Sequence, residues 1–315
     1  MKILLTGASS FTGFWFAKKL SEAGHEVVAP LRNKFNFDAE CIRSKRIVGL
    51  RGYVEIVEEC AFGDDKFIEL IASKDFELLC HHAAHVDNYR SPDFDVGYAI
   101  NKNTNNLRHV LRVMHGNGLR GVLLTGSVFE ANRGAGNMPL KAFSPYGLSK
   151  GLTADIFEYY CSELNLRMGQ FTIPNPFGPL EEPRFCNYLM NTWAKGEVAS
   201  VNTPAYIRDN IHISLLAVAY KIFAENFYNC NSNAKINPSG YVESQGAFTI
   251  RFAAEMRARL QINAEVKLLN QTDYSEPYMR VNTDCASSYV GKWNERLLWD
   301  ELAEYYSRLY KIKHS

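Results

Sequence analysis

The sequence predicts an α/β protein, a doubly wound parallel sheet followed by a smaller lobe of mixed structure. Three observations carry that expectation. Short apolar runs alternate with amphipathic helical segments through the first half of the chain. A glycine-bearing loop, Thr6-Gly7-Ala8-Ser9-Ser10-Phe11-Thr12-Gly13, follows the first run and opens the first helix. After Pro174 the alternation loosens into loops, short helices and single strands.

Taken in order, Lys2 to Leu5 is a strand and Phe11 to Ala23 a helix with apolar positions at helical spacing. Glu26 to Leu31 is a second strand and a third lies near Val54 to Ala61. Asp64 or Asp65 then caps a helix over Lys66 to Ser73. Phe76 to His81, Gly121 to Thr125 and Leu166 to Ile173 complete the strands, with helices over Ala99 to His115 and Tyr146 to Leu164. Asn175 to Leu180 is a loop, and Ile211 to Asn226 is helical. This order predicts a Rossmann-type dinucleotide-binding domain over 1–174, with 208–235 returning to it. Residues 175–207 and 236–315 form a substrate lobe, and the two share a crevice.

Composition excludes several classes. A net charge of +1 gives no electrostatic pull toward nucleic acid or an anionic membrane surface. No apolar run reaches the length of a membrane span, and Lys2 to Thr6 already reads as a strand rather than a signal peptide. The 7 cysteines (Cys41, Cys60, Cys80, Cys161, Cys186, Cys230, Cys285) are odd in number, scattered and never in a Cys-x-x-Cys pair. Reduced thiols in a cytoplasmic protein fit that pattern better than a disulfide framework or a zinc site. His81, His82 and His85 lie close together, but strand alternation turns 81 and 82 to opposite faces, so no metal site is expected.

Within the loop, Gly7 permits a tight turn and Gly13 close packing of helix on strand. Ser10 holds the position where backbone approaches a pyrophosphate, and its hydroxyl can donate to a phosphate oxygen at the helix N-terminus. A strand-turn-helix that holds no ligand is the plain alternative. Further on, Ser144-Pro145-Tyr146-Gly147-Leu148-Ser149-Lys150 sets Tyr146 and Lys150 four residues apart on one helix face. A phenol titrating at about 10 is a poor acid or base at neutral pH. A nearby ammonium stabilises the phenolate and makes a proton relay feasible.

These two motifs stand in order with His82-Ala83-Ala84, Asn101…Thr104, Thr125-Gly126-Ser127-Val128-Phe129, Asn175-Pro176-Phe177-Gly178-Pro179 and Arg208-Asp209-Asn210-Ile211-His212-Ile213. Together they resemble the extended branch of the short-chain dehydrogenase/reductase superfamily, the NAD(P)-dependent epimerase/dehydratase group that modifies nucleotide-sugars. The resemblance covers essentially the whole chain. It implies that Tyr146 is the general acid/base and that Lys150 tunes it and binds the nicotinamide ribose. Thr125, with Ser127 as the fallback, would hydrogen-bond the reacting oxygen, and Asn101 would support the site. Cofactor contacts are implied for Gly7, Ser9, Ser10, Phe11, Thr12, Gly13, Ala83, Ala84, His85 and Pro174. Substrate contacts are implied for His85, Asn175, Arg208 and Arg280, a surface ion pair being the plain alternative for the arginines.

At the end of the second strand Leu31 stands where an NAD-selecting carboxylate would be, and Arg32 follows with Lys34 nearby. Arg32 can pair with a 2′-phosphate, so NADP is favoured over NAD. Against the family's sub-reactions, the Asp-Glu pair of 4,6-dehydratases is replaced by Gly126 and Ser127. The acid/base residues of sugar-acid decarboxylases and of the epimerase-reductases are absent too. The reading is an NADP-dependent reductase of a 4-keto group on a nucleotide-sugar. The alternatives are an NAD-dependent 4-epimerase and a lapsed cofactor-binding scaffold or regulator. Thr172 and Leu215 depart from the usual pattern, which leaves another small carbonyl substrate open. The helices Ala99 to His115 and Tyr146 to Leu164 match those of a four-helix homodimer interface, with Leu107, Val110, Leu111, Val113, Phe157 and Tyr160 as its apolar surface; domain core is the commoner use of such stripes.

Overall fold

Ile3, Leu4 and Leu5 are wholly buried in the first strand, β1 (Lys2–Thr6), of a computed structural model that describes residues 1–35, 40–229 and 234–312. That strand is central to a seven-stranded parallel sheet. On one side of it lie β2 (Glu26–Pro30) and β3 (Glu55–Val57). On the other lie β4 (Leu78–His81), β5 (Gly121–Ser127), Arg167–Ile173 and Ala234–Ile236. The chain therefore runs outward from β1 to β3 and then jumps back to β4. The loops leaving β1 and β4 diverge at that switch, the place where such sheets bind ligands.

Helices α1 (Phe11–Glu22), α2 (Ile42–Leu50), α3 (Asp65–Ser73), α4 (Val96–Asn103), α5 (Leu107–Gly116) and α6 (Pro145–Glu163) follow the sheet. One face is covered by α3, α5 and α6, whose Phe67, Val110 and Phe157 pack with Leu4, Val28, Leu79, Val122 and Leu124. On the other, Phe16 of α1 stacks on Tyr220 of the helix Ile213–Asn226 at 3.8 Å, and both meet Phe171 edge-on. Strands covered on both faces are apolar throughout, which is why the sequence shows them as unbroken runs.

This unit comprises Met1–Arg133, Leu140–Ile173 and Ala217–Asn237; the second comprises Gly134–Pro139, Pro174–Leu216 and Pro238–Ser315. In the second, Ile207–His212 lies between Tyr241–Ser244 and Asn175–Phe177. Its core gathers Phe177, Phe248, Phe252, Trp299 and Tyr306.

The structure corrects several sequence expectations. Residues 208–216 stay with the second unit, because Ile207–His212 is paired on both edges there, and the return begins at Ala217. The segment 134–139 also belongs to that unit, since Ala135–Gly136 pairs with Arg280–Val281. Asn175 to Phe177 is a strand rather than a loop. The helix α2 was not expected, because Arg43, Lys45 and Arg46 mask the apolar positions Ile47 and Leu50.

The expected helix from Ala99 to His115 is two. Asn106 breaks it with a left-handed φ of 50°, and its side-chain amide donates to the Gly63 carbonyl at 2.7 Å. Asparagine tolerates that conformation where most residues do not. Leu107, Val110, Leu111 and Phe157 are consequently domain core, and the exposed apolar residues of α4 and α6 are Tyr98, Leu148, Leu152 and Tyr159. Replacing Asn106 by alanine removes both the tolerance and the hydrogen bond. Urea unfolding should show a loss of about 1–2 kcal/mol; an unchanged midpoint would contradict this account of the break.

Candidate functional site

The turn after β1 is pressed against the end of β4. Gly7 adopts φ 79°, and a Cβ there would lie 2.8 Å from the Ala83 nitrogen. Thr6 Oγ1 accepts from the backbone N–H groups of His82 (3.2 Å) and Ala83 (3.0 Å), tying the two strand ends together. Ser10 caps α1: its Oγ accepts from Gly13 N–H at 3.1 Å and donates to the Gly7 carbonyl at 2.9 Å. The single hydroxyl hydrogen is thereby committed inside the loop. Here that hydrogen is given to the Gly7 carbonyl rather than to a phosphate. Ser9 and Phe11 are buried, while Thr12, Ala83 and Ala84 are half-buried. His82 Nε2 lies 3.0 Å from Ser10 Oγ and 2.9 Å from Thr12 Oγ1.

Tyr146 and Lys150 stand one turn apart on α6, whose N-terminus is capped by Ser144 accepting from Gly147 N–H, with Pro145 in the first turn. The half-buried Tyr146 ring meets Tyr89 and Phe94 edge-on, with centroids 5.5 and 6.0 Å away. Lys150 is buried and donates from Nζ to the Thr125 backbone carbonyl at 2.7 Å. Burial lowers the pKa of Lys150, and the charge of Glu130 opposes that shift. Glu130 is itself wholly buried and accepts from Ser127 N–H (2.7 Å), Gln170 Nε2 (3.2 Å) and Arg133 Nε (3.3 Å). Burial raises its pKa, while the Lys150 charge lowers it. Its carboxylate fills the space beside Gly126, where a Cβ would lie 3.0 Å from Oε1 and 3.1 Å from Gln170 Nε2.

Thr125 pairs in register with Phe171, so its side chain turns to the Tyr220 face of the sheet, and its hydroxyl is buried there. Only its carbonyl meets Lys150. Ser127 is half-buried at the end of β5, and its Oγ accepts from Phe129 N–H at 3.2 Å. Asn101 is exposed, because it lies opposite the buried face that carries Ala99 and Asn103. Asn103 instead accepts from His85 N–H at 2.8 Å and donates to Thr153 Oγ1 at 3.2 Å, bracing α4 against α6. The half-buried His85 ring packs near Phe94 and Tyr98. At the end of β2, Arg32 is exposed, and burial, then the charges of Arg32 and Arg46, lower the pKa of Arg43.

In the second unit, Arg208 lies 4.4 Å from the Tyr206 ring centroid. It donates to the carbonyls of Pro277 (3.0 Å) and Tyr278 (3.3 Å) and pairs with Glu276 at 2.7 Å. Asn175, half-buried, has a buried side-chain amide nitrogen with no hydrogen-bond partner. Arg280 is 2% exposed, and Pro174 is buried.

Sequence reasoning missed His82, Asn103 and Glu130. Helical phase could have found Asn103, four residues after Ala99 on the apolar stripe; His82 stood in a quoted motif without a role, and nothing local marks Glu130. Among the described residues no group of three His, Cys, Asp or Glu gathers as a metal site, and no helix is long and apolar enough to cross a membrane. Six cysteines are free thiols, and Cys230 lies outside the described residues.

The profile of the family described as the NAD dependent epimerase/dehydratase family matches residues 3–237. An ADP-L-glycero-D-manno-heptose-6-epimerase of Brachyspira hyodysenteriae is 24% identical over 322 residues, covering 89% of this chain and 94% of that protein. A dTDP-6-deoxy-L-talose 4-dehydrogenase (NAD(+)) of Aggregatibacter actinomycetemcomitans is 28% identical over 181 residues, 54% of this chain and 60% of that protein. Among solved structures, the UDP-glucuronic acid 4-epimerase of Bacillus cereus in complex with UDP-glucuronic acid and NAD superposes with a TM-score of 0.74 at 17% identity, covering 98% of this chain and 100% of that one. The UDP-glucose 4-epimerase of Thermotoga maritima with UDP-glucose gives 0.75 at 17% identity, covering 98% and 99%. At these identities the structural likeness establishes the fold.

Buried titratable groups set the pH dependence of stability. Burial holds His81, His82 and His212 down at about 3 from 6.5, so stability is lost as pH falls below that unfolded value. Burial pushes Glu181 up to about 8 and Asp209 up to about 7, so each is protonated in the fold at a pH where the unfolded chain ionises. Their contribution is full below the unfolded value and is lost as pH rises through the folded one. Above 6.5 only the carboxyls act among these groups. The unfolding free energy should therefore decline between pH 6.5 and about 8, and Glu181→Gln should flatten that decline. Urea titrations at fixed ionic strength measure it, and stability rising over this interval would contradict the assignment.

Proposed function

The chain belongs to the NAD dependent epimerase/dehydratase family, and from that premise we propose that it is a nucleotide-sugar 4-epimerase with a resident NAD. The observation that carries the reading is the buried Lys150 ammonium, anchored on the end of β5 one helical turn from Tyr146. The sequence put a keto-reductase first. The epimerase is preferred because 4-epimerases recur among the structural neighbours and carry NAD or a UDP-sugar.

The residues fit the cofactor: the turn at Gly7 leaves no side chain between the ends of β1 and β4, and α1 presents its first-turn amides beside it. Gly7, Ser9, Phe11, Thr12 and Gly13 would hold the pyrophosphate, Ala83, Ala84, His85 and Pro174 would line the dinucleotide, and Lys150 would meet the nicotinamide ribose. When bound, NAD supplies reversible acceptance of a hydride.

Tyr146 takes the proton from the sugar hydroxyl and, after the keto-sugar has turned over, returns it to the same oxygen, and Lys150 stabilises the phenolate in between. Ser127 takes the orienting hydrogen bond, since the Thr125 hydroxyl is turned to Tyr220. In the second unit the Asn175 amide is a donor in want of an acceptor and suits the nucleotide-sugar, whereas Arg208 is committed to Glu276 and to backbone carbonyls and Arg280 is 2% exposed. The free thiols support a reducing, cytoplasmic setting.

One observation favours the reductase instead. Arg32 and Arg43 are exposed near the end of β2, where Arg32 suits the 2′-phosphate of NADPH. The nucleotide released on denaturing purified protein separates the readings. Retained NAD with interconversion of UDP-hexoses and no added cofactor supports the epimerase. NADPH consumption with a 4-keto nucleotide-sugar, and no retained NAD, overturns it. Tyr146→Phe should lower turnover about 10²–10⁴-fold with cofactor affinity unchanged; full activity in that variant excludes the phenol from the chemistry. A homodimer is proposed through Tyr98, Leu148, Leu152 and Tyr159, which are exposed on α4 and α6. Sedimentation equilibrium should give a dimer for the wild type and a monomer for Leu152→Glu, and a wild-type monomer refutes it.

A further inference from the structure

The hydrogens shared by the loop after β1 and the end of β4 can be assigned one by one, and we infer from them that Thr12 is a phosphate-donating residue set in its donor state by His82. The inference deepens the dinucleotide reading above and rests on it.

Ser10 Oγ has one hydrogen, directed to the Gly7 carbonyl, and it already receives the Gly13 N–H. Toward His82 Nε2, 3.0 Å away, it can offer only a lone pair, so Nε2 must carry the ring hydrogen. The opposite tautomer would set two lone pairs against each other at that distance. It would also leave a buried N–H at Nδ1, which has no hydrogen-bond partner. A buried acceptor without a partner is the lesser cost, so the Nε2–H form is selected. The ring has that one hydrogen only, because burial holds it neutral, its pKa down at about 3.

The Nε2–H is then shared with Thr12 Oγ1 at 2.9 Å. A protonated Nε2 cannot accept, so the hydrogen of Thr12 must point elsewhere. Thr12 makes no other hydrogen bond among the described residues and is half-buried, within reach of a ligand. It is the second residue of α1, beside the first-turn N–H groups that have no partner within the helix. A hydroxyl that accepts from an imidazole N–H is a better donor in turn. Its acceptor by charge and position is a diphosphate oxygen at the helix N-terminus. The loop thus replaces the close backbone approach that a glycine at position 10 would permit with a side-chain donor two residues on.

Calorimetric titration of NAD and ADP-ribose into protein stripped of bound nucleotide tests the role. Thr12→Val should weaken both by about tenfold while the melting temperature without ligand stays put. His82→Leu should weaken them at least as far, and His82→Gln, which restores an N–H donor, should recover part of the loss. Nitrogen-15 spectra of histidine-labelled protein without ligand should place the His82 hydrogen on Nε2 from pH 5.5 to 8. A hydrogen on Nδ1, or a Thr12→Val affinity within twofold of wild type, overturns the inference. A wild type that binds neither NAD nor NADPH overturns the cofactor reading, and the phosphate role of Thr12 with it. The tautomer is read without ligand, so the two failures are told apart.

Discussion

The backbone of Gly7 lies against that of Ala83, and the arrangement of the candidate site follows from that contact. Any side chain at position 7 would collide with the neighbouring strand, so the turn stays narrow and α1 starts immediately beyond it. Thr6 holds the contact in place by accepting two backbone N–H groups from across the sheet. These bonds fix where the first helix points its amides, and they do so at the switch between β1 and β4, where the chain reverses its direction of travel across the sheet. Fold and candidate site are therefore set by the same few atoms.

A second constraint is the cost of burying charge. Lys150 has lost most of its contact with water, and a lone ammonium in that position would tend to shed its proton. The Thr125 carbonyl and the field of Glu130 counter this. Glu130 in turn depends on Ser127, Gln170 and Arg133 for its own solvation. The Lys150 charge proposed to act beside Tyr146 is thus opposed by burial and supported by a network that reaches a neighbouring strand of the sheet.

The sheet, its order of strands and helices, and the pair Tyr146 and Lys150 were legible in the sequence because each is a local signal. Apolar runs mark strands covered on both faces, and a spacing of four marks one side of a helix. What could not be read was set by partners distant in sequence. His82 acts on residues about seventy positions earlier, and Glu130 is meaningful only through Gln170 and Lys150. Asn101 was taken from the family resemblance, whereas the phase of α4 turns Ala99 and Asn103 inward and leaves Asn101 exposed. Thr125 was matched by motif spacing, whereas its register opposite Phe171 decides which way it faces.

The carboxylate of Glu130 occupies the room that a larger residue at 126 would require. The order in which mutations could redirect this chain is therefore constrained. An acid introduced at 126, as elimination chemistry would demand, meets steric and like-charge conflict until position 130 has first been trimmed. Trimming it alone strips Lys150 of its counter-charge. Each single step is therefore penalised, one in packing and charge and the other in the counter-charge of Lys150, so the two positions are coupled.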